Sequence, residues 1–354
     1  MPDFQAIVTL MNYRLFGTRT GLRVSELVLG TGLFGNTTGL GAGPEAARDI
    51  LRAYVEAGGN FLDTSDAYQH GAAERQLREF IAPNRGDFVL ASKYTRTAAA
   101  APTLAAFGNH RKAMSQAVEA SLQRLGTDYL DLYLAHLPDE VTPVEEIVRG
   151  FEDLTRAGKI LYGGLSNFPA WRVATAATIA EPRGWAPLTA LQVEYNLVQR
   201  DAERELLPMA EGFGLGVMGY SALAGGVLTG KYRRGETGRA TIIQGGPPAA
   251  SPHVEAVLDA LLAVAGELAA PAGQVATAWV SARGVFPIAG PRTLAQLADY
   301  LAATALTLSP AQIERLDAAS AVPRGYPHDL LARQRGALTG NRAGQVAWPT
   351  RAVK

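Results

Sequence analysis

Eight short apolar runs, each followed by a stretch of helical periodicity, succeed one another along nearly the whole chain. The runs fall at 27–29, 60–62, 88–91, 129–134, 160–164, 189–193, 215–219 and 284–288. Helix-period stretches lie between them at 45–57, 72–81, 111–125, 144–157, 170–179, 203–211 and 254–269, with 294–301 after the last run. Strands that alternate with helices pair in parallel, and strands buried on both faces read as continuously apolar. The segment Phe88-Val-Leu-Ala91 and the run 130–134 mostly do. Gly126 and Gly158 follow two of the helices, and Pro143 and Pro169 stand where a first turn begins. An open doubly wound sheet shows fewer such units, whereas eight match a (β/α)8 TIM barrel of typically ~250 residues. The 354-residue chain exceeds that by an N-terminal β-hairpin at 13–25, a Gly/Pro-rich loop at 233–252 and a tail from near Ala321. The pattern predicts one α/β domain over 1–354: the hairpin, a barrel at about 27–320 and a C-terminal tail at 321–354.

Composition removes several classes of function. The 33 basic and 33 acidic side chains cancel, and no Lys/Arg block stands out, so neither nucleic acid nor an anionic membrane is an expected partner. Without cysteine there is no disulfide, thiolate zinc site, iron–sulfur cluster or cysteine nucleophile. The five histidines include no HExxH-type spacing, so no metal site is expected. Asp3 precedes the apolar run at 6–11 and no basic leader is present, which argues against a signal peptide. The longest apolar helix candidate, 254–270, is interrupted by Asp259 and Glu267 and does not read as a membrane span. A cytoplasmic location is the expectation.

Two glycine motifs compete with the barrel. Gly30-Thr-Gly-Leu-Phe-Gly35 follows a strand as a dinucleotide fingerprint should, but the next residues are too glycine-rich to open the helix that would hold a pyrophosphate. It reads as a barrel loop. Gly225-Gly-Val-Leu-Thr-Gly-Lys231 resembles a P-loop, yet Tyr232 stands where a magnesium-binding hydroxyl belongs.

Barrel enzymes carry their chemistry at the C-terminal ends of the strands. Here strand two ends in Asp63-Thr-Ser-Asp-Ala-Tyr68, strand three in Ser92-Lys93-Tyr94 and strand four in Ala135-His136. Taken singly, such an Asp is more often a cap, the Tyr packing, the Lys solvated and the His structural. Four at successive strand ends make a stronger case. A lysine ammonium favours the phenolate of a neighbouring tyrosine and so lowers its pKa, an aspartate holds that lysine, and a histidine can hydrogen-bond a carbonyl oxygen as charge develops there. Neither Ser166 nor Ser221 sits in a GxSxG elbow, which disfavours a serine hydrolase.

The chain resembles the aldo-keto reductases over roughly residues 13–319. The motifs that carry it are Asp63-Thr-Ser-Asp-Ala-Tyr68, Lys93, Asp131-Leu-Tyr-Leu-Ala-His136, Gly164-Leu-Ser-Asn167, Tyr220-Ser-Ala-Leu-Ala-Gly-Gly-Val-Leu-Thr-Gly-Lys-Tyr232 and Ile288-Ala-Gly-Pro-Arg292. The form is bacterial in type, with a long loop after strand seven, and is related to potassium-channel β subunits. The resemblance implies an oxidoreductase that reduces an aldehyde or ketone with NADPH rather than NADH. Tyr68 would donate the proton, Asp63 and Lys93 would tune it, and His136 would orient the carbonyl. Ser166, Asn167 and Gln192 would hold the nicotinamide carboxamide, Tyr220 would stack on the ring, and Thr31 and Gly32 would lie near its ribose. Ser221, Leu223, Gly225 and Lys231 would line the pyrophosphate. Gly290 and Arg292 would reach a 2′-phosphate, with Gln296 and Asp299 at the adenine. Tyr300 replaces an asparagine usual at the adenine in such relatives; Ala222 and Ala289 replace prolines of the flanking loops.

Two other readings compete: a nucleotide-sensing accessory subunit with little turnover, and a barrel enzyme such as an isomerase that uses no dinucleotide. His136 favours the reductase, since the channel-type subunits have an asparagine there. Selectivity for the carbonyl substrate is expected from the segments 33–43, 94–109, 137–139 and 323–354, all read as loops. The tail's Arg324, Arg333, Arg335, Arg342 and Arg351 offer charge for an acidic substrate or for a neighbouring subunit in a homo-oligomer, against a default of simple solvation.

Overall fold

The computed structural model describes residues 11–35, 40–244 and 251–347. The run at 6–11 up to residue 10, part of the 33–43 loop, part of the 233–252 loop, and Arg351 lie outside the described residues.

A closed barrel of eight parallel strands is built from β3 (Val28–Gly30), β4 (Phe61–Asp63), β5 (Val89–Tyr94), β6 (Leu130–Ala135), β7 (Ile160–Ser166), β8 (Leu188–Glu194), β9 (Gly216–Tyr220) and β10 (Phe286–Ala289), in that order around the ring, with β10 pairing back to β3. β1 (Tyr13–Leu15) and β2 (Arg23–Ser25) form the antiparallel hairpin expected ahead of it. Every residue of β3, β4, β5, β6 and β10 is buried, which explains why these strands read as mostly apolar, with Asp63, Ser92, Lys93 and Asp131 as the polar exceptions.

The hairpin closes the barrel floor. Phe16 is fully buried, with its ring edge-on to Phe61 at 5.5 Å and 5.6 Å from Phe286. Glycine at 216 makes room for it, because a Cβ there would stand 2.7 Å from the Phe16 ring. Inside the staves, Val28, Val89, Leu132, Leu134 and Met218 complete a core separate from the larger one between strands and helices. The floor is a plug of aromatic rings, so the open end lies at the strands' C-termini.

The outer helices are α1 (Pro44–Glu56), α2 (Ala72–Ile81), α3 (Arg111–Leu125), α4 (Val144–Arg156), α5 (Ala170–Ala180), α6 (Leu206–Phe213), the short α7 (Arg239–Gln244), α8 (Pro252–Glu267), α9 (Ala272–Ala282), α10 (Leu294–Ala303), α11 (Pro310–Ala319) and α12 (His328–Leu338). Four of these depart from the sequence reading, the first being α7, which lies inside the segment read as a Gly/Pro-rich loop. The helix that leads into β10 is α9, and α8, assigned above as that connection, is an additional element packed on α9 and α11. α11 was not anticipated. Residues 328–338 of the supposed loop-like tail are helical. Among the described residues no single helix is long and apolar enough to cross a membrane; α8 and α9 meet that test only jointly and meet at 99°.

Candidate active site

The C-terminal strand ends surround a cavity of about 720 Å³. At its inner end the four polar residues expected there do converge. Lys93 Nζ donates to Asp63 Oδ2 at 2.8 Å, to the Thr64 carbonyl at 2.8 Å and to Tyr68 Oη at 3.1 Å. All three ammonium protons are therefore spent, in a side chain that is fully buried. Gln192 Nε2 donates to Asp63 Oδ1 at 2.8 Å, an oxygen that also lies 2.8 Å from the Lys93 ammonium, and so adds a second fixed donor to the carboxylate. The Tyr68 ring lies against Gly32, where a Cβ would approach to 3.6 Å, and stands edge-on to His136 at 5.8 Å between centroids. Asp63, Tyr68 and His136 line the cavity, while Lys93 lies behind Tyr68.

The charges at this end follow from burial. Burial pulls Lys93 down, but the adjoining Asp63 and Tyr68 outweigh it and hold the ammonium above its ordinary range. For Tyr68 burial wins. It pushes the phenol up, Lys93 pulls it down only partly, and the net value lies above that of free tyrosine. The lysine acts in the expected direction, but the expected net lowering is not what the buried site produces. His136 is held down to about 3 by burial and by the nearby charges of Lys93 and Arg96, so its imidazole is neutral.

A polar cluster sits beside this group. Tyr220 Oη donates to Asn167 Oδ1 at 2.8 Å, and Asn167 Nδ2 donates to the His136 carbonyl at 2.9 Å and to Ser166 Oγ at 3.0 Å. Asn167 holds a left-handed backbone, φ 61°, which asparagine tolerates better than most residues. Asn167, Gln192 and Tyr220 line the cavity. Ser166 and Thr31 do not. Both are fully buried, and Thr31 Oγ1 is committed to the Asp63 carbonyl at 3.1 Å. These two support cavity-lining neighbours and do not face the cavity.

At the outer end, Ser221, Leu223, Gly225 and Lys231 line the wall after β9, and Gly290, Arg292, Gln296 and Asp299 line the wall after β10. Ser221, Ala224, Gly225 and Gly226 all have positive φ, so this stretch is a tightly wound turn. Lys231 is lowered by burial and by the charge of Arg292: cations from the two walls face one space. Arg234 and Arg239 line the same cavity. Like charges held together on a concave wall are the donor set for a bound polyanion. Gln296 accepts the Arg292 amide through Oε1 at 2.9 Å, and Asp299 accepts from Gln274 at 3.3 Å, so both are partly committed within the protein. Tyr300, at the asparagine position, is half-buried at the cavity wall and pushed up to about 12, chiefly by desolvation.

Several lining residues escaped the sequence reading. Arg239 opens α7, and its charge acts on Tyr68, Glu194 and Tyr300. The Lys231-to-Arg239 basic stretch in an otherwise small-residue loop was the available signal. Ala272, Gly273 and Gln274 line the cavity from the first turn of α9, and were hidden because that helix was not foreseen. Arg96 and Leu137 fall in segments marked for selectivity. Thr95, just before Arg96, has φ 106°, a costly conformation for a β-branched residue; its Oγ1 accepts from Asn109 Nδ2 at 2.9 Å and from the His136 amide at 3.2 Å. Among the described residues no cluster of His, Asp or Glu could hold a metal ion.

A model of the aldo/keto reductase family matches residues 26–321. The chain is similar to a protein named aldo-keto reductase ausK of Emericella nidulans, with 35% identity over 91% of this chain and 84% of the relative. It is 34% identical to a norsolorinic acid reductase of Aspergillus flavus, covering 94% of this chain and 87% of that protein. It is 31% identical to a putative aryl-alcohol dehydrogenase, AAD14, of Saccharomyces cerevisiae, covering 90% and 89%.

Proposed function

The chain belongs to the aldo/keto reductase family, and from that premise we propose that it is an NADPH-dependent oxidoreductase that reduces an aromatic aldehyde or ketone to the alcohol, with Tyr68 as proton donor. The observation that carries this reading is the single Lys93 ammonium, hydrogen-bonded to Asp63 and Tyr68 beneath a cavity with a cationic outer wall.

The dinucleotide, when bound, supplies the hydride. Asn167, Gln192 and Tyr220 would hold its nicotinamide end, and Lys231, Arg239 and Arg292 its phosphates. Arg292 beside Lys231 favours the additional phosphate of NADPH, because a guanidinium pairs with a phosphate in bidentate fashion. His136, neutral, offers a ring nitrogen to the carbonyl oxygen. Tyr68 Oη gives its proton to that oxygen as negative charge builds on it, and Lys93 stabilises the phenolate left behind. Burial keeps the phenol protonated at neutral pH, as a proton donor requires. Leu33 and Leu137 line the same cavity and suit an apolar, ring-bearing substrate of the kind the relatives' names describe.

Fluorescence titration with NADPH, paired with Tyr68→Phe, tests the proposal. Tyr68→Phe should bind NADPH like the parent and lose reduction of para-nitrobenzaldehyde by at least about a hundredfold. Substantial turnover in that variant would show that the proton comes from elsewhere.

A further inference from the structure

Behind His136, on the side away from the cavity, stands a short hydrogen-bonded chain that the reaction above does not use. Ser65 Oγ lies 3.3 Å from His136 Nδ1 and 3.2 Å from Asp66 Oδ1, and accepts the Ala67 amide at 3.3 Å. Ser65 and Asp66 are buried, and neither lines the cavity. A serine hydroxyl has one proton and two lone pairs. The Ala67 amide takes one lone pair, which leaves one donor and one acceptor to divide between His136 and Asp66.

Two arrangements satisfy every group. With a proton on Asp66, the carboxyl donates to Ser65, Ser65 donates to His136 Nδ1, and the neutral imidazole carries its own proton on Nε2. With Asp66 ionised, Ser65 must donate to the carboxylate, and its free lone pair accepts a hydrogen bond from a protonated His136 Nδ1. Nε2 is then a bare lone pair. Nε2 has no hydrogen-bond partner among the described residues, and His136 lines the cavity. The first arrangement offers a donor to a carbonyl oxygen; the second opposes one acceptor to another.

We propose that Asp66, acting through Ser65, decides which nitrogen of His136 carries the proton, and thereby whether the site can grip a carbonyl. Asp66 is a positioning residue, and its protonated form is the competent one. This rests on the reductase reading for its functional consequence, but the tautomer exchange itself does not. Going from the first arrangement to the second releases one proton from Asp66 to solvent and moves the ring proton from Nε2 to Nδ1, with no change in charge on His136.

The surroundings keep both states within reach. Glu74 of α2 faces Asp66 and is itself bonded to Arg124 of α3 at 2.6 Å and to Ser92 of β5 at 2.7 Å. Tyr133 of β6 faces the same group, and the Lys93 carbonyl of β5 accepts the Asp66 amide at 3.2 Å. Burial first, and Glu74 second, push Asp66 up to about 7, against smaller opposing pulls from the Ser65 hydrogen bond and from Arg124. The exchange therefore falls in the neutral range.

Nitrogen-15 NMR of the imidazole ring nitrogens tests it on the full-length protein, with His136→Gln identifying the His136 signals. The parent should pass from an Nε2–H to an Nδ1–H ring as pH rises through about 7. Asp66→Asn, whose amide always donates, should hold Nε2–H at every pH. Ser65→Ala should remove the pH-dependent exchange altogether. In NADPH-dependent reduction of para-nitrobenzaldehyde, kcat/KM of the parent should fall about tenfold per pH unit above the same midpoint, and Asp66→Asn should lack that limb. A parent ring that keeps one tautomer throughout, or an Asp66→Asn ring that exchanges as the parent does, overturns the proposal. If instead the ring nitrogens exchange as described but Tyr68→Phe still reduces the aldehyde, the switch stands and the proton-donor assignment falls.

Discussion

At the scale of single residues the buried ion pair between Lys93 and Asp63 bears on stability and, under the proposed function, on chemistry. Their side chains are 0% and 3% exposed, so removing one partner strands a charge where water cannot reach it. Asp63→Asn should destabilise the protein by roughly 3–5 kcal/mol in urea unfolding. The pair Asp63→Asn with Lys93→Met, which leaves no charge unpaired, should recover much of that loss while reduction stays abolished. If the double variant were as unstable as the sum of the singles, the pair would be acting independently, and its geometry would be incidental. These residues were legible because barrel strands deliver their terminal side chains to one rim, whatever their distance in sequence. The net upward shift of Tyr68 was not. A sequence places the lysine near the phenol, but the opposing influence is depth of burial, which is a property of the packed site. Ser65 and Asp66 stood in plain view within the Asp63–Tyr68 motif, yet only coordinates show that they sit behind His136.

At the scale of elements, the two ends of the barrel separate stability from function. Phe16, carried in by the hairpin, fills the floor against Phe61 and Phe286, on the opposite side from the cavity. Phe16→Ala should cost about 3–5 kcal/mol and leave kcat/KM per folded molecule close to the parent. A matching loss of catalytic efficiency would mean that the floor also holds the strand ends in place. The wall after β10 makes the converse case: Arg292 stands ahead of α10, whose Thr293 cap receives the Gln296 amide. Arg292→Ala should weaken NADPH by roughly ten- to a hundredfold in direct titration and hardly change NADH. Equal losses would place the 2′-phosphate elsewhere. The strand–helix alternation was legible from β3 to β9, and it failed at α9. That helix, Ala-Gly-Gln-Val-Ala-Thr-Ala-Trp-Val-Ser-Ala, has no charged side chain and follows closely on the longer α8, which took its place in the count. The turn at 221–226 was also illegible in form, since its non-glycine positive φ values at Ser221 and Ala224 are imposed by the closing of the loop.

Across the whole molecule, the buried Asp66 and the half-buried His136 pull the pH dependence of folding in opposite directions. His136 is held down to about 3, whereas a histidine in the unfolded chain titrates near 6.5. As pH falls below about 6.5 the unfolded chain takes up a proton that the native state refuses, so this group lowers stability on acidification. Asp66 behaves in the other sense. Its folded value of about 7 exceeds the unfolded value near 3.9, so the native state holds a proton that the unfolded chain has lost. That contribution is complete below about pH 4, declines as pH rises towards 7, and is gone above it. Between roughly pH 4 and 6.5 the two slopes oppose each other, and their sum is nearly level. Asp66→Asn removes one of them. The variant should gain stability relative to the parent as pH rises through this window, match it most closely near pH 4, and keep a constant advantage of a few kcal/mol above pH 7. His136→Gln should show the mirror image, becoming less stable as pH rises over the same interval. Urea unfolding at several pH values measures both. Parallel curves for Asp66→Asn and the parent would mean that Asp66 is ionised in the folded protein at the same pH as in the unfolded chain, and its burial beside Glu74 would then carry no cost.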